Sequence, residues 1–349
     1  FLRCKISKNT SGYPVRKSNV LLVGSSGTGK TLLAQTIATY MDLPFIIIDA
    51  TILSNYESSR SNTESILKIL YTRVGDDIEL AEHGIVFIDE IDKIKKIHGQ
   101  NDSAGEKIQQ GLLKLLEGSK LEFSVPGVLD RPISIDTRNI LFICAGTFVG
   151  LEDIVRDRLK YERWVERDTL LMKTESEDLI KYGMIPELVA RIPLIAPLHD
   201  LSVSDLYRII SEPKDSLLNE YKILFEQYGV DLNFAQDALE QIARESLKTG
   251  NGARGLRLIF EIVLLNYMYN KNYGNNTLLI DSIIVENEVN RERKKDELKN
   301  QLKSTEQLLQ KCLKELEILG TRAPAHLMNK TKGLEAKIQE LNKQLNQYP

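Results

Sequence analysis

The sequence predicts an α/β protein. A parallel sheet covered on both faces is followed by a smaller, mostly helical domain and a C-terminal helical hairpin or coiled coil. Three observations carry this. Short, wholly apolar runs at 20–23, 45–48, 84–88 and 140–144 alternate with amphipathic stretches. Strands apolar on both sides belong to parallel sheets buried on both faces. Beyond Pro193 and Pro197, apolar residues fall every three or four positions, the spacing of helices packed on one side. From Leu298 onward, apolar residues step by four and three without a break.

In chain order, residues 1–17 are polar, basic and rich in turn formers. Residues 18–196 form the α/β domain. Its first strand, 20–23, stops at Gly24, and 31–41 carries helical periodicity through Leu32, Leu33, Ile37 and Ala38. Residues 197–285 form the second domain, entered through a proline-bearing hinge, with helices at 206–210, 217–225, 235–247 and 254–269 and a closing strand at 277–285. Residues 286–349 are a tail. Leu298, Leu302, Thr305, Leu309, Cys312, Leu316 and Leu319 make one seam, and Leu334, Ile338, Leu341, Leu345 and Tyr348 make a second beyond a turn-rich stretch holding Pro324. Two heptad segments around a short loop fit a hairpin packed on its own chain equally well as an arm that binds a partner.

A chain of 349 residues, 42% hydrophobic and 27% charged, is long enough for two cores. Its 46 basic and 49 acidic residues leave a net charge of −3, which excludes binding nucleic acid by bulk charge. Three cysteines (Cys4, Cys144, Cys312) and four dispersed histidines form neither a disulfide framework nor a zinc ligand set. No run of 18 apolar residues reads as a membrane span. The composition fits a soluble protein of a reducing compartment, cytoplasmic or, alternatively, the mitochondrial matrix. The first residue is Phe1, so targeting peptides are not judged from this sequence.

Gly24-Ser25-Ser26-Gly27-Thr28-Gly29-Lys30-Thr31 has the spacing Gly-x-x-x-x-Gly-Lys-Thr. It follows an apolar strand and opens a helix, the context a phosphate-binding loop requires. Its glycines let the backbone curl so that N–H groups converge on phosphate oxygens at a helix N-terminus. Lys30 is placed to reach the β- and γ-phosphates, and the Thr31 hydroxyl to coordinate Mg²⁺. The run 85–88 ends in Asp89 and Glu90, which puts two carboxylates at the carboxyl edge of the sheet beside that loop. Asp89 is expected to hold the metal, and Glu90 to orient and polarise the attacking water. These residues specify a Mg²⁺-dependent NTPase with a helical second domain. The base and the job performed stay open.

Residues 18–34, 84–94, 108–118, 136–144, 183–193 and 252–257, in order, resemble the ClpX-like AAA+ ATPases of the Clp unfoldase family. The resemblance spans about residues 18–285. It implies a P-loop NTPase large domain, a small helical lid domain, and a ring, normally a homo-hexamer, that uses ATP hydrolysis to move polypeptide through a central pore. It further implies that Arg191 is an arginine finger reaching a neighbouring subunit's ATP. Arg254 becomes a second sensor, touching the γ-phosphate from the lid of the same chain. Thr147 stands where a polar sensor could sit, or is an ordinary strand-end residue.

Departures from the family pattern matter as much. The family's aromatic Gly-Tyr-Val-Gly pore loop is replaced by Glu57-Ser58-Ser59-Arg60, with Tyr56 shifted and both glycines gone. An Arg-Lys-His loop has no counterpart between Gly118 and Asp136. Residues 151–177, where a Gly-Phe loop docks the peptidase ClpP in relatives, contain no such pair. Trp164, the only tryptophan, is an apolar anchor there or a core residue. Three functions are therefore expected in this order: an ATP-driven remodeller specialised for one protein client or adaptor, docked through the tail; an unfoldase feeding a peptidase; a nucleotide-gated assembly scaffold.

Overall fold

In the first of two units, five parallel strands make the main sheet, whose strand ends carry the phosphate loop and the Asp89-Glu90 pair. The computed structural model describes residues 17–55, 59–96, 103–124, 132–161, 164–269, 277–319 and 324–348. Its chain divides into units Phe1–Asp200 and Leu201–Pro349. The first unit runs β1 (Val20–Val23), α1 (Lys30–Tyr40), β2 (Phe45–Asp49), α2 (Ser59–Arg73), α3 (Ile78–Ala81), β3 (Ile85–Asp89) and α4 (Ser103–Leu116). It continues with β4 (Lys120–Phe123), β5 (Ile133–Asp136), β6 (Leu141–Gly146), α5 (Leu151–Leu159), α6 (Arg167–Leu171), α7 (Ser176–Tyr182), α8 (Pro186–Ala190) and β7 (Leu194–Pro197).

The main sheet has the order β2-β3-β6-β1-β7, all parallel. Period-two alternation divides its apolar residues between two cores. Leu21, Val23, Val86, Ile88, Phe142 and Cys144 join the larger one with α2 and α4 residues such as Leu67, Leu70 and Leu112. Leu22, Ile85, Phe87, Ile143 and Ala145 meet Ala34 and Ala38 of α1 on the other face. Small residues on α1 let that helix lie close to the sheet, so the phosphate loop stays tight against β1.

Three features differ from the sequence expectation. The Pro193–Pro197 stretch, read as the start of a hinge, is the edge strand β7. Pro197 lacks an N–H, but among the described residues β7 pairs with β1 alone, so no ladder bond on its outer side is lost. The strand expected over 140–144 occupies Leu141–Gly146. The antiparallel pair β4–β5, in register Lys120↔Asp136, went unnoticed because its four-residue strands carry little periodicity. Residues 125–131 between them, and Tyr56, Glu57 and Ser58 of the expected pore tip, lie outside the described residues. So does Cys4; Cys144 and Cys312 are buried free thiols.

The second unit contains α9 (Val203–Ser211), α10 (Leu217–Glu226), β8 (Asp231–Phe234), α11 (Gln236–Lys248), α12 (Arg254–Tyr269), β9 (Thr277–Ile280), α13 (Ser282–Leu319) and α14 (Ala325–Leu345). Ser202 and Asp205 form a capping box that starts α9. Tyr221 stacks on Phe260 at 5.5 Å, tying α10 to α12. The closing strand expected over 277–285 ends at Ile280, because Asp281 caps a helix by accepting from Ile284 N at 2.9 Å. Gly255 permits the tight turn into α12: a Cβ there would stand 2.5 Å from Thr249 Oγ1 and 2.7 Å from Ser246 Oγ. Gly255→Ala is expected to destabilise this unit by about 1–3 kcal/mol, read as a lower urea midpoint at unchanged slope.

One helix, α13, runs through the boundary expected after residue 285. Val285 and Val289, one turn apart, both enter the core of the second unit. Beyond them, Arg293 reaches Glu245 of α11 at 2.6 Å, and Lys248 reaches the same carboxylate at 2.8 Å. Burial pushes the Glu245 carboxyl up, but the hydrogen bonds from Lys248 and Arg293 outweigh it and hold the group below its usual range. A lowered carboxyl adds stability above its unfolded value, and that stability is lost as pH falls through the folded one. Arg293→Ala is thus expected to lower stability at pH 7 by about 1–3 kcal/mol, with the deficit shrinking in acid below pH ~4. A deficit equal at pH 7 and pH 3 would contradict the assignment.

Past Arg293 the heptad seams pair within the chain. Leu298, Thr305 and Cys312 of α13 are buried, as are Leu327, Thr331 and Leu341 of α14. Among the described residues no helix is long and apolar enough to cross a membrane.

Candidate nucleotide-binding site

The phosphate loop is shaped by its glycines. Gly27 and Gly29 adopt φ of 75° and 87°, the left-handed region open to glycine without strain. Gly29 is also the N-cap of α1 and supplies no side-chain acceptor to this helix N-terminus, the end that favours an anion. The loop is pinned at its base by Gly24 N donating to Gly146 O (3.3 Å) and inside by Thr28 Oγ1 donating to Ser25 O (2.9 Å). Lys30, 8% exposed, folds its ammonium back onto the carbonyls of Gly24 and Ser25, both at 2.8 Å.

Two strands away, β3 delivers the acids. Asp89 ends the strand opposite Asp49 of β2, and its Oδ2 accepts from Thr31 Oγ1 at 3.3 Å. This hydroxyl and carboxylate are the pair expected to hold Mg²⁺, a hard cation that takes few protein oxygens and fills its octahedron with phosphate and water. The site therefore fits the group: oxygen donors at the metal position, converging N–H groups and a buried lysine at the phosphates. Among the described residues no cluster of three histidine, cysteine, aspartate or glutamate side chains competes for a metal.

Glu90 is exposed and left-handed, with φ 55°, and its N–H is held by Asp89 Oδ1 at 2.9 Å. A non-glycine residue in that region is strained. The strand ends at Asp89, and the left-handed turn at Glu90 starts immediately beyond it. Asp92, 3% exposed, accepts from Thr147 Oγ1 (3.1 Å) and Phe148 N (3.2 Å), fastening the acidic turn to the end of β6. Gly146 is required there, since a Cβ would lie 2.6 Å from Asp92 Oδ1.

The structure brings Gly24 through Thr31, Asp89 and Glu90 to one edge of the sheet, with Thr147 behind them. Arg191 is elsewhere in the same unit. Asn19 Nδ2 donates to its carbonyl at 2.8 Å, and Asn19 immediately precedes β1. Arg191 therefore sits by the end of β1 away from the phosphate loop, five residues or about 16 Å of strand from Gly24. Its guanidinium is exposed and pairs with Glu117 at 3.2 Å. Arg254 opens α12 in the second unit, on the surface. Asp92 and Arg167 belong to this region without a sequence pattern that points to them. Arg167 meets the phosphate loop from 142 residues away, with no local signal.

Comparison with known proteins resolves the family. A family model described as "AAA domain (Cdc48 subfamily)" matches residues 15–195, just over half of the chain. A model of the "C-terminal, D2-small domain, of ClpB protein" matches 201–285. The "ATP-dependent Clp protease ATP-binding subunit ClpX" of Borrelia duttonii is 42% identical over 283 residues, covering 76% of this chain and 66% of that protein. The protein of the same name from Porphyromonas gingivalis is 37% identical over 302 residues, covering 81% and 74%. The chain belongs to the ClpX-like AAA+ ATPases. It spans about two thirds of the length of the Borrelia relative. Both family models stop at or before residue 285, so the paired helices beyond Arg293 are outside the part of this AAA+ chain that those models describe.

Proposed function

We propose that this chain hydrolyses ATP with Mg²⁺ at the seams of a homo-hexameric ring and uses the cycle to unfold or remodel protein. The position of Arg191 carries this reading. It is anchored at the far end of β1 from its own phosphate loop, so the cation that completes hydrolysis comes from a neighbouring subunit. Within one chain, Lys30 leaves its two carbonyls for phosphate oxygens, and Thr31 and Asp89 hold the metal. Glu90 takes the water's proton, and Arg254 keeps the second-sensor role that the family resemblance implies. When bound, Mg²⁺ neutralises charge on the phosphate oxygens and positions them for in-line attack. Sedimentation of the purified protein with and without a non-hydrolysable ATP analogue, beside a phosphate-release assay, tests the reading. A monomer under saturating nucleotide and Mg²⁺ that releases no phosphate overturns it.

Coupling to a peptidase divides the finer readings. Residues 151–177 hold no Gly-Phe pair, and α5 and α6 occupy most of that stretch, which supports a remodeller specialised for one client and working without ClpP. The second reading, a protease ATPase, is favoured by the printed names of the relatives and by Trp164. Of the readings as an apolar anchor or as a core or hinge residue, the core one does not fit this side chain, which is 81% exposed. Exposed tryptophans cost water contact and are enriched at protein interfaces. Trp164→Ala is expected to leave ATP hydrolysis unchanged. If ClpP-dependent proteolysis of a tagged fluorescent protein is present and falls with this substitution, the protease reading stands. A cytoplasmic location accords with either.

A further inference from the structure

We propose that Arg167 is a positioning residue of the nucleotide site, holding the phosphate loop in register with the acidic turn that carries Glu90. The inference rests on the ATP-binding reading and adds a residue to it. The Arg167 guanidinium uses its fork on three partners. One terminal nitrogen donates to the Ser25 hydroxyl of the phosphate loop, the other to the Thr147 carbonyl at 2.8 Å, and Nε pairs with Glu152 at 3.3 Å. The planar guanidinium spreads its donors over three nitrogens in a fixed fork and so reaches three separated partners, whereas the lysine ammonium offers its donors from a single atom. The side chain is 27% exposed and Glu152 18%, so the contact is partly shielded from water, unlike an open surface pair.

Its two loop partners lead straight to the chemistry. Ser25 is gripped at both ends, its carbonyl by Lys30 and its hydroxyl by Arg167. Thr147, whose carbonyl Arg167 holds, donates its own hydroxyl to Asp92, two residues after Glu90. A continuous set of hydrogen bonds thus joins Ser25, Arg167, Thr147 and Asp92. When phosphate draws the Lys30 ammonium away from the Gly24 and Ser25 carbonyls, Arg167 keeps its hold on Ser25 and the loop keeps its shape. The turn bearing Arg167 is itself fixed, because Asp168 bonds His199 Nδ1 at 2.7 Å and accepts from Asp200 N at 3.2 Å. A side chain held on a braced turn loses little further entropy in positioning its partners.

Steady-state ATP hydrolysis by the full chain provides the test, comparing the unaltered protein with Arg167→Gln, Ser25→Ala and the double variant. Loss of charge-assisted bonds to the loop is expected to raise KM for ATP about tenfold, with kcat lowered less than threefold. Ser25→Ala is expected to raise KM to a smaller extent, and the double variant to match Arg167→Gln alone, since both act on one contact. Arg167→Lys is expected not to restore KM. If the two substitutions multiply, or if KM is unchanged while only the melting temperature falls, Arg167 is merely structural and the inference is overturned. Should Arg167→Gln fail to fold, Glu152→Gln replaces it, with an increase of several-fold in KM expected and no increase counting against the proposal. Failure of the ATP reading looks different: the unaltered protein itself neither binds nor hydrolyses ATP.

Discussion

Glu90→Gln is expected to keep ATP binding and ring assembly while lowering turnover by about 10²–10⁴-fold, the range for losing a positioned general base. The amide matches the carboxylate in size, and Glu90 is exposed, so packing is undisturbed. The left-handed backbone at φ 55° is equally strained with either side chain, so the turn keeps its geometry. Asp89, which meets Thr31 at 3.3 Å, is untouched, and so is the metal pair. The expected signature is a fluorescent ATP analogue bound as tightly as before, with phosphate release reduced to a trace. Hydrolysis at the unaltered rate would remove Glu90 from its assigned role, whereas loss of binding would mean that the turn also shapes the loop.

Arg191→Ala is expected to be comparably severe for a different reason. A cation supplied in trans to phosphoryl transfer is worth about 10³–10⁵ in rate. The substitution leaves the phosphate loop, Asp89 and Glu90 of its own subunit intact, so nucleotide still binds. Mixing Arg191→Ala subunits with Glu90→Gln subunits then makes composite sites, in which one subunit supplies Glu90 and its neighbour supplies Arg191. Part of the turnover is expected to return, although each variant alone is inactive. No recovery in stable mixed rings would mean that Arg191 acts within its own chain or not at all. The Glu117 pair does not oppose this motion, because both partners are about half exposed and such pairs contribute about 0–1 kcal/mol. Asn19 bonds the backbone of Arg191, which sets where this side chain starts.

Much of the nucleotide site was legible in the residues themselves. A phosphate loop is a local object: strand, glycine turn and helix follow one another within 21 residues, from Val20 to Tyr40. Asp89 and Glu90 were legible for the same reason, because a four-residue apolar strand must end at a sheet edge. What stayed hidden depends on contacts far apart in the chain. Arg167 opens a five-residue helix in polar surroundings, and its partners lie at 25, 147 and 152. Nothing in the local pattern marks Asp92, and only its burial against Gly146 and Phe148 reveals it as the tie between two strand ends. Trp164 illustrates the converse: tryptophan composition favours a buried place, yet nothing in the first unit covers this one among the described residues.

Periodicity and motif spacing are properties of neighbours along the chain, so they were enough to identify the α/β class, the phosphate loop, the acidic strand end and the two seams of the final helices. The resemblance carried by those same stretches named the family. Folding alone decided three matters. It made Leu194–Pro197 an edge strand, since the N–H that Pro197 lacks is dispensable where one side of the strand has no partner among the described residues. It extended the second core past residue 285, because Val289 and Arg293 find their partners on α11 and its neighbours rather than in the hairpin. And it put Arg191 at the opposite end of β1 from the phosphate loop, a separation set by strand pairing that no local pattern encodes.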